Sequence, residues 1–147
     1  MATRPRVLFL CTHNSARSQM AEGWLRHLAG DRYEVHSAGT EASHVRPLAI
    51  RAMAEAGVDI SGHESKTLDR YLHQPWDYIV TVCNAANASC PVFSGGRRRL
   101  HWSFPDPSKS TGNEDEQLAI YRQVRDAIKA HVEAFMESEI ETLGRTP

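Results

Sequence analysis

The chain is poor in cysteine, holding only Cys11, Cys83 and Cys90. An odd count does not close a framework of paired disulfides. No two of the three stand two to four residues apart, as ligand pairs in zinc sites do, which argues against a metal module built from them and His101, and no metal ligand set is assigned. Long apolar runs are also missing, and nothing approaches the ~20 residues of a membrane helix. Val7-Leu8-Phe9-Leu10 is too short for a signal-peptide core, and no small-residue cleavage site follows it. Charge of one sign is lacking: the net charge is -1, which draws the chain to neither nucleic acid nor a membrane surface. Repeats, low-complexity stretches and linkers are absent, so residues 1–147 are expected to form a single domain, a monomer in the cytoplasm. Thiols stay reduced there and remain available for nucleophilic or redox chemistry.

What is present alternates between strand and helix patterns. Arg6 to Cys11 reads as a short buried strand, and Gln19 to Leu28 as a helix that Gly30 can close. Tyr33 to Ser37 reads as a second strand. Pro47 opens a second helix whose apolar stripe is Leu48, Ala52, Met53 and Ala56, with Gly57 after it. Val58 to Leu68 reads as loop. Tyr78 to Cys83 is rich in β-branched residues and predicts a third strand, with a fourth at Arg99 to Phe104. A long helix is predicted from about Asn113 to Leu143, with Leu118, Tyr121, Val124, Ile128, Val132 and Phe135 buried. The pattern implies an α/β fold with a parallel sheet covered on both faces. Ligands bind such folds beyond the carboxyl ends of the strands, at the switch point of strand order. Cys11 and Cys83 both fall at strand carboxyl ends.

Cys11 also opens the stretch Cys11-Thr12-His13-Asn14-Ser15-Ala16-Arg17-Ser18, between the first strand and the first helix. Free N–H groups and the positive end of the helix dipole collect in such a loop, stabilising an anion and a thiolate alike. Arg17 completes a Cys-x5-Arg spacing, and its planar fork matches two oxygens of a tetrahedral oxyanion. Ser18 can donate to the sulfur. Asn14 tolerates left-handed backbone. His13 is either a plain loop residue or a contact to the anion. Together these groups describe attack by a thiolate on phosphate or a phosphate-like anion.

The longer string, Cys11 through Arg17-Ser18-Gln19-Met20-Ala21-Glu22, resembles the low-molecular-weight tyrosine phosphatase superfamily, most of all its thioredoxin-coupled arsenate reductase branch. The resemblance spans nearly the whole chain. It includes Tyr33-Glu34-Val35-His36-Ser37-Ala38-Gly39, Asp59-Ile60-Ser61-Gly62-His63, Val80-Thr81-Val82-Cys83, Cys90-Pro91 and His101-Trp102-Ser103-Phe104-Pro105-Asp106-Pro107. It implies a three-layer sandwich around a four-stranded parallel sheet. It implies that Cys11 is the nucleophile, that residues 12 to 18 with Arg17 hold the oxyanion, and that Asp106 is the general acid. A carboxyl between two prolines on a stiff loop suits that proton transfer, which is typically worth about 10²–10⁴-fold.

Cys83 and Cys90 separate the two activities of the superfamily. A phosphatase needs water to break its thiophosphate, whereas a reductase needs a second thiol. The resemblance implies that Cys11 attacks arsenate, that Cys83 then attacks Cys11 with release of arsenite, and that Cys90 attacks Cys83. The Cys83–Cys90 disulfide is then reduced by external thioredoxin, with no bound cofactor. A glutaredoxin or a small thiol remains an alternative donor, and a tyrosine phosphatase remains an alternative enzyme. Seven helical positions would hold Cys83 and Cys90 roughly 10 Å apart, beyond the ~7 Å that a disulfide spans, so residues 84 to 96 are expected to rearrange on oxidation. Some members of the family hold potassium at positions matching Asn14, Glu22 and Ser37. Here Lys66 is expected to replace that ion and pair with Glu22. Ala16 stands where some members carry a further cysteine. Arg97-Arg98-Arg99 reads as a solvated edge or a docking point for an acidic partner.

Overall fold

The computed structural model describes residues 4–83 and 96–144, with side chains described as far as residue 139. Four strands, β1 (Arg6–Cys11), β2 (Glu34–Gly39), β3 (Tyr78–Thr81) and β4 (Arg98–His101), form one sheet in the order β2-β1-β3-β4, and every pairing is parallel. Three helices accompany them: α1 (Arg17–Ala29), α2 (Pro47–Glu55) and α3 (Glu114–Gly144). Short 3-10 turns occupy Leu68–Tyr71 and Pro107–Lys109.

The two-residue period of β1 divides the interior. Val7, Phe9 and Cys11 join the larger core, which α1, α2 and α3 cover. Leu8 and Leu10 face the opposite way, into a smaller cluster with Ala38, Tyr71, Trp76 and Ile79. Both faces of β1 are therefore buried, which is why its sequence is a continuous apolar run rather than an alternation. The whole predicted stripe of α3 is buried, from Leu118 to Phe135. Each such apolar side chain contributes about 1.5–3 kcal/mol before the entropy of ordering it.

The chain leaves β1 for β2 on one side and returns to β3 on the other, so the switch point lies between the carboxyl ends of β1 and β3. The sheet and its helices match the expected class, with shifted boundaries. Helix α1 begins two residues earlier than its apolar pattern suggested, at Arg17. Strand β3 ends at Thr81, although Val82 still donates to Leu10 O at 2.9 Å. Strand β4 ends at His101 rather than continuing to Phe104. The stretch read as polar loop buries Val58, Ile60 and Lys66.

Candidate active site

The loop after β1 is shaped by its backbone. Asn14 has φ +49, the only described residue other than glycine with a positive value, and asparagine accepts that conformation. The carbonyls of the loop are tied to its surroundings. Thr12 O accepts from Glu41 N–H and Thr40 Oγ1, each at 3.0 Å; His13 O accepts from Ser65 Oγ at 3.0 Å; Ser15 O accepts from Arg46 N–H at 2.9 Å. Because a peptide is planar and trans, each N–H that follows such a carbonyl points the opposite way, toward the inside of the loop. Gly39 at the end of β2 lets this loop lie close. A Cβ there would stand 2.6 Å from Thr12 O and 2.8 Å from Asn14 N and Cys11 O.

Side chains lock the same loop from beneath. Asn14 Nδ2 donates to Ser18 Oγ at 2.8 Å and to Ser37 Oγ at 3.0 Å. Asn14 Oδ1 accepts from Gln19 Nε2 at 2.9 Å and from Lys66 N–H at 2.8 Å, which fixes the orientation of the amide. The Ser37 hydroxyl donates a hydrogen bond to Glu22 Oε1. Ser18 Oγ, already an acceptor, lies 2.8 Å from Cys11 Sγ with its own proton free for the sulfur. Asn14, Ser18 and Ser37 are fully buried and Cys11 is 2% exposed, so little water competes for these bonds.

Arg17 is 3% exposed at the start of α1. Its Nη1 donates to Phe104 O at 3.2 Å, and its Nη2 lies 3.5 Å from Asp106 Oδ2. The Ser108 N–H and hydroxyl hold the other carboxylate oxygen, at 3.0 and 2.7 Å. Burial pushes the Asp106 carboxyl up, but the Ser108 bonds and the Arg17 guanidinium outweigh it and hold the group below the usual carboxylate range. Asp106 is thus a carboxylate at neutral pH in this state, oriented by Ser108 and facing Arg17. His13 turns to Glu41, at 3.2 Å, and Ala16 occupies the N-cap of α1 without a side-chain bond.

Cys83 follows β3 and is fully buried. It is disulfide-bonded, whereas Cys11 is a free thiol. Cys90 and most of the stretch expected to rearrange, residues 84–95, lie outside the described residues.

Beneath Ser37, Glu22 is ringed by cations. Lys66 Nζ lies 3.8 Å from Glu22 Oε1, the expected pairing, and donates to Glu64 O at 2.8 Å. Arg26 stands closer, at 2.6 Å from Glu22 Oε2. His63 Nδ1 lies 3.8 Å from the same oxygen. Burial pulls both Lys66 and His63 below their ordinary values, against the pull of Glu22. Reasoning from sequence missed Arg26, His63, Gln19 and Ser108. Arg26 was detectable as the i+4 partner of Glu22, and Ser108 as a local hydroxyl two residues after an aspartate. His63 and Gln19 meet across 44 positions and leave no local pattern.

The arrangement offers inward N–H groups, an arginine fork, a thiol and a carboxyl around one point, enough to hold a tetrahedral anion and attack its centre. The chain matches the low molecular weight phosphotyrosine protein phosphatase family over residues 6–146. It is similar to an arsenate reductase of Halalkalibacterium halodurans, 46% identical over 132 residues that cover 90% of this chain and 95% of that one. A solved arsenate reductase in its oxidized state superposes with a TM-score of 0.77 at 32% identity, covering 90% of this chain and 97% of the other. A thioredoxin-dependent arsenate reductase of Corynebacterium glutamicum superposes with a TM-score of 0.67 at 29% identity, covering 93% of this chain and 62% of the other.

Proposed function

The chain belongs to the low molecular weight phosphotyrosine protein phosphatase family, and from that premise we propose that it is an arsenate reductase working by a relay of three thiols, re-reduced by thioredoxin. The observation that carries the reductase reading over a phosphatase is the position of Cys83. It follows the strand register pair Leu10↔Thr81 by two residues, on the same rim as Cys11 across the switch point. A phosphatase has no use for a thiol there.

In the first step the Cys11 thiolate attacks arsenic. A sulfur–arsenic bond forms, and one arsenate oxygen leaves as water. The inward N–H groups of the loop and the Arg17 fork hold the remaining oxygens. Asp106 supplies the proton of that water, taking it up from the protonated arsenate as Arg17 turns from the carboxylate to the anion. In the second step the Cys83 thiolate attacks Cys11 Sγ. A disulfide forms, the sulfur–arsenic bond breaks, and its electron pair stays on arsenic, which leaves as arsenite. In the third step the Cys90 thiolate attacks Cys83 and frees the Cys11 thiolate. The dithiol of thioredoxin reduces the resulting Cys83–Cys90 disulfide. Glutaredoxin or a small thiol is the alternative donor. The protein would act as a monomer of one domain over residues 1–147, in the cytoplasm. Among the described residues no helix is long and apolar enough to cross a membrane.

The test is arsenate-dependent NADPH oxidation coupled through thioredoxin and thioredoxin reductase. Wild type should turn over, and Cys11→Ser, Cys83→Ser and Cys90→Ser should each stop it. Turnover that survives Cys83→Ser defeats the relay. Strong hydrolysis of an aryl phosphate without arsenate turnover assigns the site to a phosphatase.

A further inference from the structure

The carbonyls of the anion loop are not all held alike. Thr12 O accepts from a backbone N–H and a threonine hydroxyl, and Ser15 O from a backbone N–H. Two others are held by side chains. Among the described residues, His13 O has one partner, the Ser65 hydroxyl at 3.0 Å, and Asn14 O accepts from Gln19 Nε2 at 3.1 Å. Gln19 also bonds Asn14 Oδ1, Glu64 O and His63, so its removal would disturb much besides the loop backbone. The Ser65 hydroxyl touches the loop at His13 O alone, among the described residues. Its other partner is the Ser43 N–H, from which it accepts at 2.9 Å. An N–H only donates and a carbonyl only accepts, so the group between them must accept on one side and donate on the other, as a hydroxyl does. The backbone around Ser65 is anchored without that hydroxyl. Gln19 Nε2 donates to Glu64 O at 2.9 Å, Lys66 N–H donates to Asn14 Oδ1 at 2.8 Å, and Lys66 O accepts from Gly39 N–H at 2.9 Å. Thr67 then bridges to Gly39 at the end of β2. Residues 64–67 thus form a strap against the loop, and Ser65 is where the strap reaches the His13 carbonyl.

We propose that Ser65 is a positioning residue of the oxyanion site: by holding His13 O outward it aims the Asn14 N–H at the anion. This rests on the reading of the Cys11 loop as an oxyanion site. The peptide between His13 and Asn14 is planar and trans, so its N–H points away from its carbonyl, into the loop. Asn14 itself sits at φ +49, a sparsely populated conformation that persists where its surroundings hold it. Without the Ser65 bond this peptide is free to turn over. That motion would carry His13 O inward, and a carbonyl oxygen would then face the anion where an N–H should bind it.

Inorganic phosphate is the probe, titrated into the full chain as wild type, Ser65→Ala and Ser65→Thr, and followed by calorimetry and by the amide NMR signal of Asn14. Ser65→Ala should bind phosphate about 3- to 10-fold more weakly, the size of one hydrogen bond. Its Asn14 signal should lose most of the shift that phosphate causes in wild type. Ser65→Thr keeps the hydroxyl and should restore both. A brace that served folding alone would lower the Tm of Ser65→Ala and leave its phosphate affinity and Asn14 shift as in wild type; that result overturns the proposal. Ser65→Thr as weak as Ser65→Ala would assign the loss to packing rather than to the hydroxyl, and overturns it too. Failure of wild type to bind phosphate overturns the reading of the loop as an oxyanion site, and the role of Ser65 with it.

Discussion

Asn14 and Ser18 are joined by a 2.8 Å hydrogen bond in which the amide donates and the hydroxyl accepts. The hydroxyl keeps its own proton, and toward a Cys11 thiolate, 2.8 Å away, it can only donate. The amide is held in turn by the Ser37 hydroxyl, the Gln19 amide and the Lys66 backbone N–H, so the hydroxyl beside the sulfur is held in place.

Ser18→Ala removes that donor and leaves Asn14 with one acceptor fewer. A hydrogen bond to a charged group is worth about 1.5–3 kcal/mol, so formation of the Cys11–arsenic adduct should slow by about 10- to 100-fold. Single-turnover release of arsenite measures it. A rate equal to wild type would show that the hydroxyl serves only to brace the loop.

Asp106→Asn keeps the shape of the side chain and an acceptor for Ser108, and removes the exchangeable proton. Arsenate turnover should fall by about 10²–10⁴-fold. Stability gives a second readout. The folded carboxyl lies below its ordinary value, so the ionised form stabilises the fold above about pH 4, and the contribution fades as pH falls through the folded value. Urea unfolding at pH 7 should therefore show Asp106→Asn less stable than wild type, and the gap should shrink toward pH 3.

Much of this site is legible in the sequence because it is local. Cys11, Asn14, Arg17 and Ser18 lie within one loop and one helical turn, and an apolar run followed by a helix pattern is enough to place them. Strand β1 is legible to the residue because it is buried on both faces. Its neighbour β3 is overextended in the sequence reading because β-branched Val82 and small, apolar Cys83 continue its buried character past the end of the ladder. Beyond Thr81 the pairing with β4 ends at His101. The start of α1 is hidden for the opposite reason, since Ala16 gives no capping signal. Around Glu22, Lys66 and His63 arrive by long-range packing, whereas Arg26 is its i+4 neighbour on α1. Only Lys66 was reached, and through resemblance rather than through any pattern in the chain.

Gly39→Ala tests how tightly β2 and the anion loop are pressed together. The added Cβ would meet backbone atoms of Cys11, Thr12 and Asn14 at 2.6–2.8 Å, and backbone cannot swing aside as a flexible side chain does. Overpacking of this kind costs about 1–3 kcal/mol. Thermal unfolding should show the loss, and phosphate affinity should fall because the same atoms shape the oxyanion cradle. A Tm and an affinity equal to wild type would mean that the loop stands farther from β2 in solution.

His63 should make the fold sensitive to mild acid. Gln19 Nε2 is committed to Asn14 and Glu64, so Gln19 Oε1 accepts from His63 Nδ1–H at 2.9 Å. His63 Nε2 is then the lone-pair nitrogen and accepts from Arg26 Nη1 at 3.2 Å. The neutral ring satisfies both neighbours, whereas a second proton would set Nε2–H against the Arg26 guanidinium. Burial leads the shift, and Glu22 offsets it only in part, so the folded value lies below 6.5. The unfolded chain takes up this proton near pH 6.5 and the folded chain does so only at lower pH. Between those two values the unfolded state binds more protons, so stability falls as pH drops. The urea midpoint should decline from pH 7.5 to 5.5 in wild type. His63→Gln, which carries no titrating proton, should be less stable at pH 7.5 and should lose less of its stability over that interval. Parallel declines in the two proteins would assign the acid sensitivity to another group.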